Sequence, residues 1–282
     1  MKKKICTILI AVLVAVLGAS TYFIIEHYKE ANKQAELYDE LADLVNAAAQ
    51  TDAATEPAKQ IPYSEEKMLL PELAELYQQN GDLVGWISIA DTNINYPVMQ
   101  SVNEPNFYLK HGFDKEYSDY GCPYVQEDCD VQEPSDNLVI YGNHMSNGSM
   151  FAHLEKFKNK DFWSEHRMIT FNILTDKQEY EIVAVFRTVV YTDSPEAFKF
   201  YRFIDAESAN EFDDFIAKSK ELSFYDTGVT AEYGDKLITL STCEYSRNNS
   251  RLVVVAKRIT EDGGADAAKT HAEATAEGER PN

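Results

Sequence analysis

Apolar and polar positions divide the chain into three regimes. The first is an uninterrupted apolar run from Ile5 to Ile25, with Lys2-Lys3-Lys4 before it and Glu26 after it. A helix crossing roughly 30 Å of hydrocarbon at about 1.5 Å per residue needs about 20 such residues. The run therefore predicts a transmembrane helix, and the leading lysines predict an N-terminus left in the cytoplasm. A cleaved signal peptide would have an apolar region of about 7–15 residues. Gly18-Ala19-Ser20 offers a weak cleavage site, but the apolar run continues past it. In the second regime Leu37, Leu41, Leu44 and Val45 recur at helical spacing, predicting an amphipathic helix over 26–50. A polar linker follows over 51–62. A second helix is expected over 65–80, ending at Asn80-Gly81, with Pro71 kinking or splitting it.

The third regime begins at Leu83. Short β-rich runs bounded by turn residues cover Val84 to Ile89, Ile94 to Met99, Leu138 to Tyr141, Met168 to Ile173, Tyr180 to Tyr191, Leu237 to Thr242 and Leu252 to Ile259. Two helices interrupt them, at Met150–Phe157 and at Ala206–Leu222, the latter with Ala209, Phe212 and Ile216 on one stripe. Many short strands in one stretch predict a closed barrel or a sandwich. From Glu261 to Asn282 there are six acidic and two basic residues and no large apolar side chain, so this segment is expected to be a disordered tail. The division read from the sequence is a cytoplasmic stub at 1–4, an anchor at 5–25, a juxtamembrane helix and linker at 26–64, a β-rich domain at 65–260 and the tail at 261–282.

Composition narrows the function. Of 282 residues, 47 are acidic and 26 basic, a formal charge of −21. Nucleic acid is not the expected partner, because its phosphates require a basic surface. Cys6 lies in the apolar run, and Cys122 and Cys129 flank Pro123-Tyr124-Val125-Gln126-Glu127-Asp128. A disulfide between them is compatible with the spacing but not demanded by it, and the pattern is not that of a zinc site. The acidic stretch Glu127 to Glu133 reads as a solvated loop, and no metal or other cofactor is expected.

Cys243 has no obvious partner. In Lys236-Leu237-Ile238-Thr239-Leu240-Ser241-Thr242-Cys243 alternation puts Ile238 and Leu240 on one face and Thr239, Ser241 and Cys243 on the other. Cys243 ends the strand at a polar loop, where a thiol can meet a substrate. A buried structural cysteine fits the local pattern equally well. A free thiol has a pKa of about 8.5 and needs a base or a cation beside it to act as a nucleophile. Arg251, eight residues on at the start of the next strand, returns beside Cys243 if the two strands form a hairpin. Among six histidines His144 stands out, because it follows the strand Asn137 to Tyr141 at a Gly-containing turn.

Thr239-Leu240-Ser241-Thr242-Cys243 resembles the sortase signature Thr-Leu-x-Thr-Cys, and Arg251-Leu252-Val253-Val254-Val255-Ala256-Lys257 resembles the strand that follows it in that family. Tyr141-Gly142-Asn143-His144 is similar to the sortase histidine motif. Class B is indicated by Gly85-Trp86-Ile87-Ser88-Ile89, Ile94-Asn95-Tyr96-Pro97-Val98-Met99-Gln100, Tyr108-Leu109 before Phe113, Asn147-Gly148-Ser149-Met150-Phe151 and Cys243-Glu244. The resemblance covers about 65–260. It implies a mainly β fold, an eight-stranded sortase barrel with N-terminal helices and a long helix between late strands.

The resemblance also implies a membrane-anchored cysteine transpeptidase. His144, Cys243 and Arg251 are its implied catalytic residues. Leu109, Ser241, Thr242, Glu244 and Tyr201 are its implied substrate-binding residues. The class B asparagine ahead of Tyr108-Leu109 falls to Asn103 or Asn106. The implied partners are secreted proteins bearing a C-terminal sorting signal, cleaved after Thr, and an amine of the cell-wall cross-bridge precursor. Two other readings differ in substrate: a sortase that polymerises pilin subunits, and a papain-like hydrolase, which would place its cysteine at a helix start near the mature N-terminus. A non-catalytic binding module would keep its function when Cys243 is alkylated.

Overall fold

The computed structural model describes residues 2–51, 63, 67–190, 197–246 and 249–260. Helix α1 runs without a break from Lys2 to Thr51. The expected anchor and the expected amphipathic helix are thus one helix whose apolar stripe changes its partner along its length. Ile8, Leu13, Leu17 and Phe23 are exposed, and the helix is long and apolar enough to cross a bilayer. Further on, Gln34, Tyr38 and Leu41 are buried against the rest of the protein. Tyr38 donates from its hydroxyl to the Gly121 carbonyl at 2.6 Å, and its ring meets Tyr96 edge-on at 5.4 Å.

Helix α2 spans Pro71–Gln79. Pro71 neither kinks nor splits it but starts it. Proline lacks an N–H, and the first helical turn has no partner for one. The linker over 52–62 and the tail over 261–282 lie outside the described residues.

Eight strands follow: β1 (Leu83–Ser88), β2 (Asn95–Met99), β3 (Tyr124–Val125), β4 (Asn137–Tyr141), β5 (Met168–Ile173), β6 (Glu179–Val189), β7 (Leu237–Glu244) and β8 (Ser250–Arg258). They close in the order β1-β2-β3-β4-β7-β8-β6-β5. Seven were legible from alternation. Strand β3, two residues long, was hidden between Cys122 and Cys129. It pairs parallel to β2 through Met99↔Tyr124 and antiparallel to β4, and so completes the barrel. Both cysteines are free thiols and buried. Burial pushes the Cys129 thiol up to about 12 and the Cys122 thiol higher still, so neither is a nucleophile near neutral pH.

Closing a sheet removes its edges and encloses a core of Ile87, Val98, Ile140, Phe171, Val185, Ile238, Leu240 and Val254, each fully buried. The segment expected to be helical at Met150–Phe157 is a 3-10 helix over Phe151–Lys158, joined to a short α3 (Lys160–Glu165). Helix α4 (Ala209–Leu222) is capped by the Ser208 hydroxyl, which accepts from the Glu211 N–H. Its buried stripe is Phe212, Phe215, Ile216 and Ser219. Ala209 is exposed, since the cap holds the first turn in solvent.

Candidate active site

Two strand pairings bring the three predicted side chains to one end of the barrel. Strands β4 and β7 run parallel in the register Tyr141↔Ser241, and the Gly142 N–H extends the ladder to the Ser241 carbonyl at 3.1 Å. His144 and Cys243 therefore leave the sheet together although 99 residues separate them. Strands β7 and β8 form an antiparallel hairpin in which Cys243 pairs directly with Arg251. Residues opposite each other in such a pair share a face of the sheet. The guanidinium is anchored at its root by a 3.0 Å bond from Nη1 to the Ser250 carbonyl.

The imidazole of His144 has a defined protonation pattern. Its Nδ1 lies 3.0 Å from the Cys243 carbonyl oxygen. A carbonyl only accepts, so Nδ1 carries the hydrogen and Nε2 is left to exchange a proton. Cys243 is the one residue of β7 that is not buried. The other described histidines of the globular part are absorbed into packing. His111 stacks on Phe107 and His166 on Phe162, and His153 accepts from the Asn93 N–H.

The predicted substrate-binding residues divide. Leu109 is 39% exposed and sits beside the histidine turn, because Asn143 donates to its carbonyl at 2.9 Å and to that of Tyr120 at 2.9 Å. Ser241 and Thr242 are 1% and 2% exposed. Both faces of a barrel strand are covered here, so as sequence neighbours of the thiol they offer almost no surface. Their hydroxyls find no hydrogen-bond partner among the described residues.

The Glu244 side chain is engaged away from the thiol. Its carboxylate is buried on the face opposite Cys243, 2.9 Å from Lys158 Nζ, and accepts from the Ser246 hydroxyl at 2.6 Å and the Ser246 N–H at 3.2 Å. Burial opposes its ionisation, but the hydrogen bonds from Ser246, Lys158 and Ser250 outweigh that and hold its pKa at about 2. Tyr201 lies in a 3-10 turn, Phe200–Arg202, where its ring packs edge-on against Phe200 at 5.6 Å. Of the two asparagines considered ahead of Leu109, Asn106 accepts from the Tyr124 hydroxyl at 2.8 Å, which ties it to β3.

Sequence reading assigned no role to Asn143, Lys158 or Tyr245. Asn143 stands inside the histidine motif and was visible there. Lys158 and Tyr245 carry no local signal, because their roles depend on partners 86 and 101 residues away.

A closed eight-stranded barrel with a strand-terminal cysteine, an arginine across the hairpin and a histidine on the parallel neighbour defines a cysteine transpeptidase. The family model for the sortase domain matches residues 87–259, and the chain belongs to the sortase family. Within that family it is a class B sortase, as its relatives show. The chain is 35% identical over 193 residues to sortase B of Listeria monocytogenes, covering 67% of this chain and 74% of that protein. It is 26% identical over 259 residues to sortase B of Staphylococcus aureus, covering 91% of this chain and 98% of that protein. A solved Staphylococcus aureus sortase B–substrate complex superposes with a TM-score of 0.69 at 25% identity, covering 83% of this chain and 99% of that one. A Bacillus anthracis sortase B gives 0.67 at 27% identity, covering 83% of this chain and 100% of that one. The barrel and the strand-terminal position of Cys243 set the chain apart from papain-like hydrolases.

Proposed function

We propose that this transpeptidase is held at a membrane by α1, cleaves a C-terminal sorting signal after a threonine, and joins the new acyl end to an amine of the cell-wall cross-bridge. Cys243 attacks the threonine carbonyl as its thiolate. A carbon–sulfur bond forms, the peptide C–N bond breaks, and the leaving amine takes a proton from Nε2 of His144. The incoming amine then attacks the thioester, returns a proton to Nε2 and releases the thiolate. Arg251, across the hairpin, donates to the oxyanion in both steps. The backbone N–H of Glu244 is a second donor in this reading, and Leu109 and Tyr201 contact the signal peptide.

The observation that carries the proposal is the register itself: parallel β4–β7 and antiparallel β7–β8 bring His144 and Arg251 to either side of Cys243. The test is cleavage of a fluorogenic Asn-Pro-x-Thr peptide library by the full chain in detergent, followed by mass spectrometry of the products with a glycine-peptide acceptor. We expect scission after Thr and a thioester adduct on Cys243. Cys243→Ala should abolish turnover and His144→Ala should nearly do so. Arg251→Ala should lower kcat by about two to three orders of magnitude with the fold intact. Turnover by the Cys243→Ala protein at the original rate would refute the mechanism.

A further inference from the structure

Tyr245 is 73% exposed, the most exposed large hydrophobic side chain among the described residues of the globular part. It sits in the turn that follows β7, where Asn, Asp, Gly or Ser would meet the backbone's needs. An aromatic ring left mostly in water contributes little to burial. Yet both parts of the side chain are engaged, and both with one residue. The phenol donates to the His144 carbonyl at 3.0 Å, and the ring meets the imidazole at 5.0 Å with an interplanar angle of 67°.

We propose that Tyr245 is a positioning residue for His144, which latches the histidine turn to the nucleophile strand. This rests on the reading of His144 as the proton carrier. Two hydrogen bonds run in opposite directions between the same segments. Nδ1 of His144 donates to the Cys243 carbonyl, and the Tyr245 phenol donates to the His144 carbonyl. The first fixes the ring's tilt but leaves it free to rock about the Nδ1···O line. The second holds the backbone from which the ring hangs, and the tyrosine ring closes one side of the rocking motion. Such constraints matter because proton transfer is sensitive to small misplacements of the acid–base group.

The latch is itself held in place. Glu244 and Ser246 bracket Tyr245, and the Glu244 carboxylate grips the N–H and hydroxyl of Ser246 from beneath. Arg187 of β6 donates to the same hydroxyl at 2.8 Å. Partial burial, with the Cys243 sulfur nearby, raises the Tyr245 pKa above its ordinary 10.0 against the opposing charge of Arg251, so the phenol stays a donor.

The test uses Tyr245→Phe and Tyr245→Leu in the full chain in detergent. The readouts are peptide turnover, thermal unfolding and the 15N-histidine NMR signal of the His144 Nδ1 proton. In the unsubstituted protein that proton should exchange slowly, because the Cys243 carbonyl holds it. Loss of one neutral hydrogen bond corresponds to about a five-fold effect. Tyr245→Phe should therefore lower kcat about five-fold, and Tyr245→Leu by ten-fold or more. KM and the unfolding midpoint should stay unchanged, and the Nδ1 signal should broaden in the same order. An unaltered Nδ1 signal in Tyr245→Leu overturns the proposal whether or not the peptide is turned over. So does a change in KM at constant kcat, which would make the ring a substrate contact, or a parallel fall of kcat and unfolding midpoint.

Discussion

A carboxylate next to the nucleophile would be expected to depress thiolate formation, and Glu244 avoids this by facing the other way. Its charge is spent on Lys158, itself paired with Glu155 at 2.6 Å, and on the Ser246 turn. Its pKa falls from the ordinary 4.5 to about 2 on folding, a difference on the order of 3 kcal/mol at one pKa unit per 1.36 kcal/mol. The folded-state value is the lower one, so the stabilisation is complete above about pH 4.5 and drains away as pH falls through about 2. Glu244→Gln should therefore lower stability by about 1–3 kcal/mol at pH 7, while the two proteins should converge near pH 2. Urea unfolding at both pH values measures this, and an equal loss at both would place the cost in packing rather than charge. Alternation in Leu237 to Thr242 put residues 242 and 244 on the face away from Cys243. Thr242 and Glu244 were assigned to the groove by the resemblance alone, and the Lys158 partner of the Glu244 carboxylate lies 86 residues away, beyond any local pattern.

The exit of β4 shows how an element, rather than a residue, positions the histidine. After Tyr141 the chain must turn from the parallel ladder with β7 into the loop that carries His144, while passing over the 3-10 segment beginning at Phe151. A Cβ on Gly142 would lie 2.5 Å from Cγ of the fully buried Phe151 ring. A core aromatic cannot swing away, so Gly142→Ala must displace β4 or the ring, an overpacking cost of about 1–3 kcal/mol. The Gly142 N–H bond to Ser241 lies at that same point, so the shift should disturb the alignment of His144 with Cys243. We expect a lower unfolding midpoint together with a kcat loss larger than ten-fold, and alkylation of Cys243 by iodoacetamide at its original rate at high pH. An unchanged kcat would show that the turn tolerates the shift. Elements with several alternating residues were legible in the sequence. Those set by tertiary contact were not: β3 is too short to show a period, and α3 and the 3-10 form of Phe151–Lys158 follow from packing beneath the barrel.

At the scale of the whole molecule, one continuous α1 joins an exposed apolar half to a half packed on the barrel through Tyr38. Charge governs approach to the site. The chain carries −21, and the acceptor amine of a transpeptidation reaches the enzyme largely as an ammonium ion. A field of one sign raises the local concentration of the opposite ion, and salt removes the effect as the Debye length shrinks from about 30 Å at 0.01 M to about 3 Å at 1 M. Close to the groove Arg251 opposes the field, whereas Glu244 is neutralised by Lys158. The long-range anionic term should still dominate at low salt, because this local cation acts over a shorter distance than the summed charge. KM for a cationic glycine-peptide acceptor should therefore rise several-fold between about 0.01 M and about 1 M salt, whereas KM for an uncharged signal peptide, read by hydrolysis without acceptor, should stay flat. An acceptor KM that falls with rising salt would mean that the local cation, and not the net charge, sets the potential at the mouth of the groove.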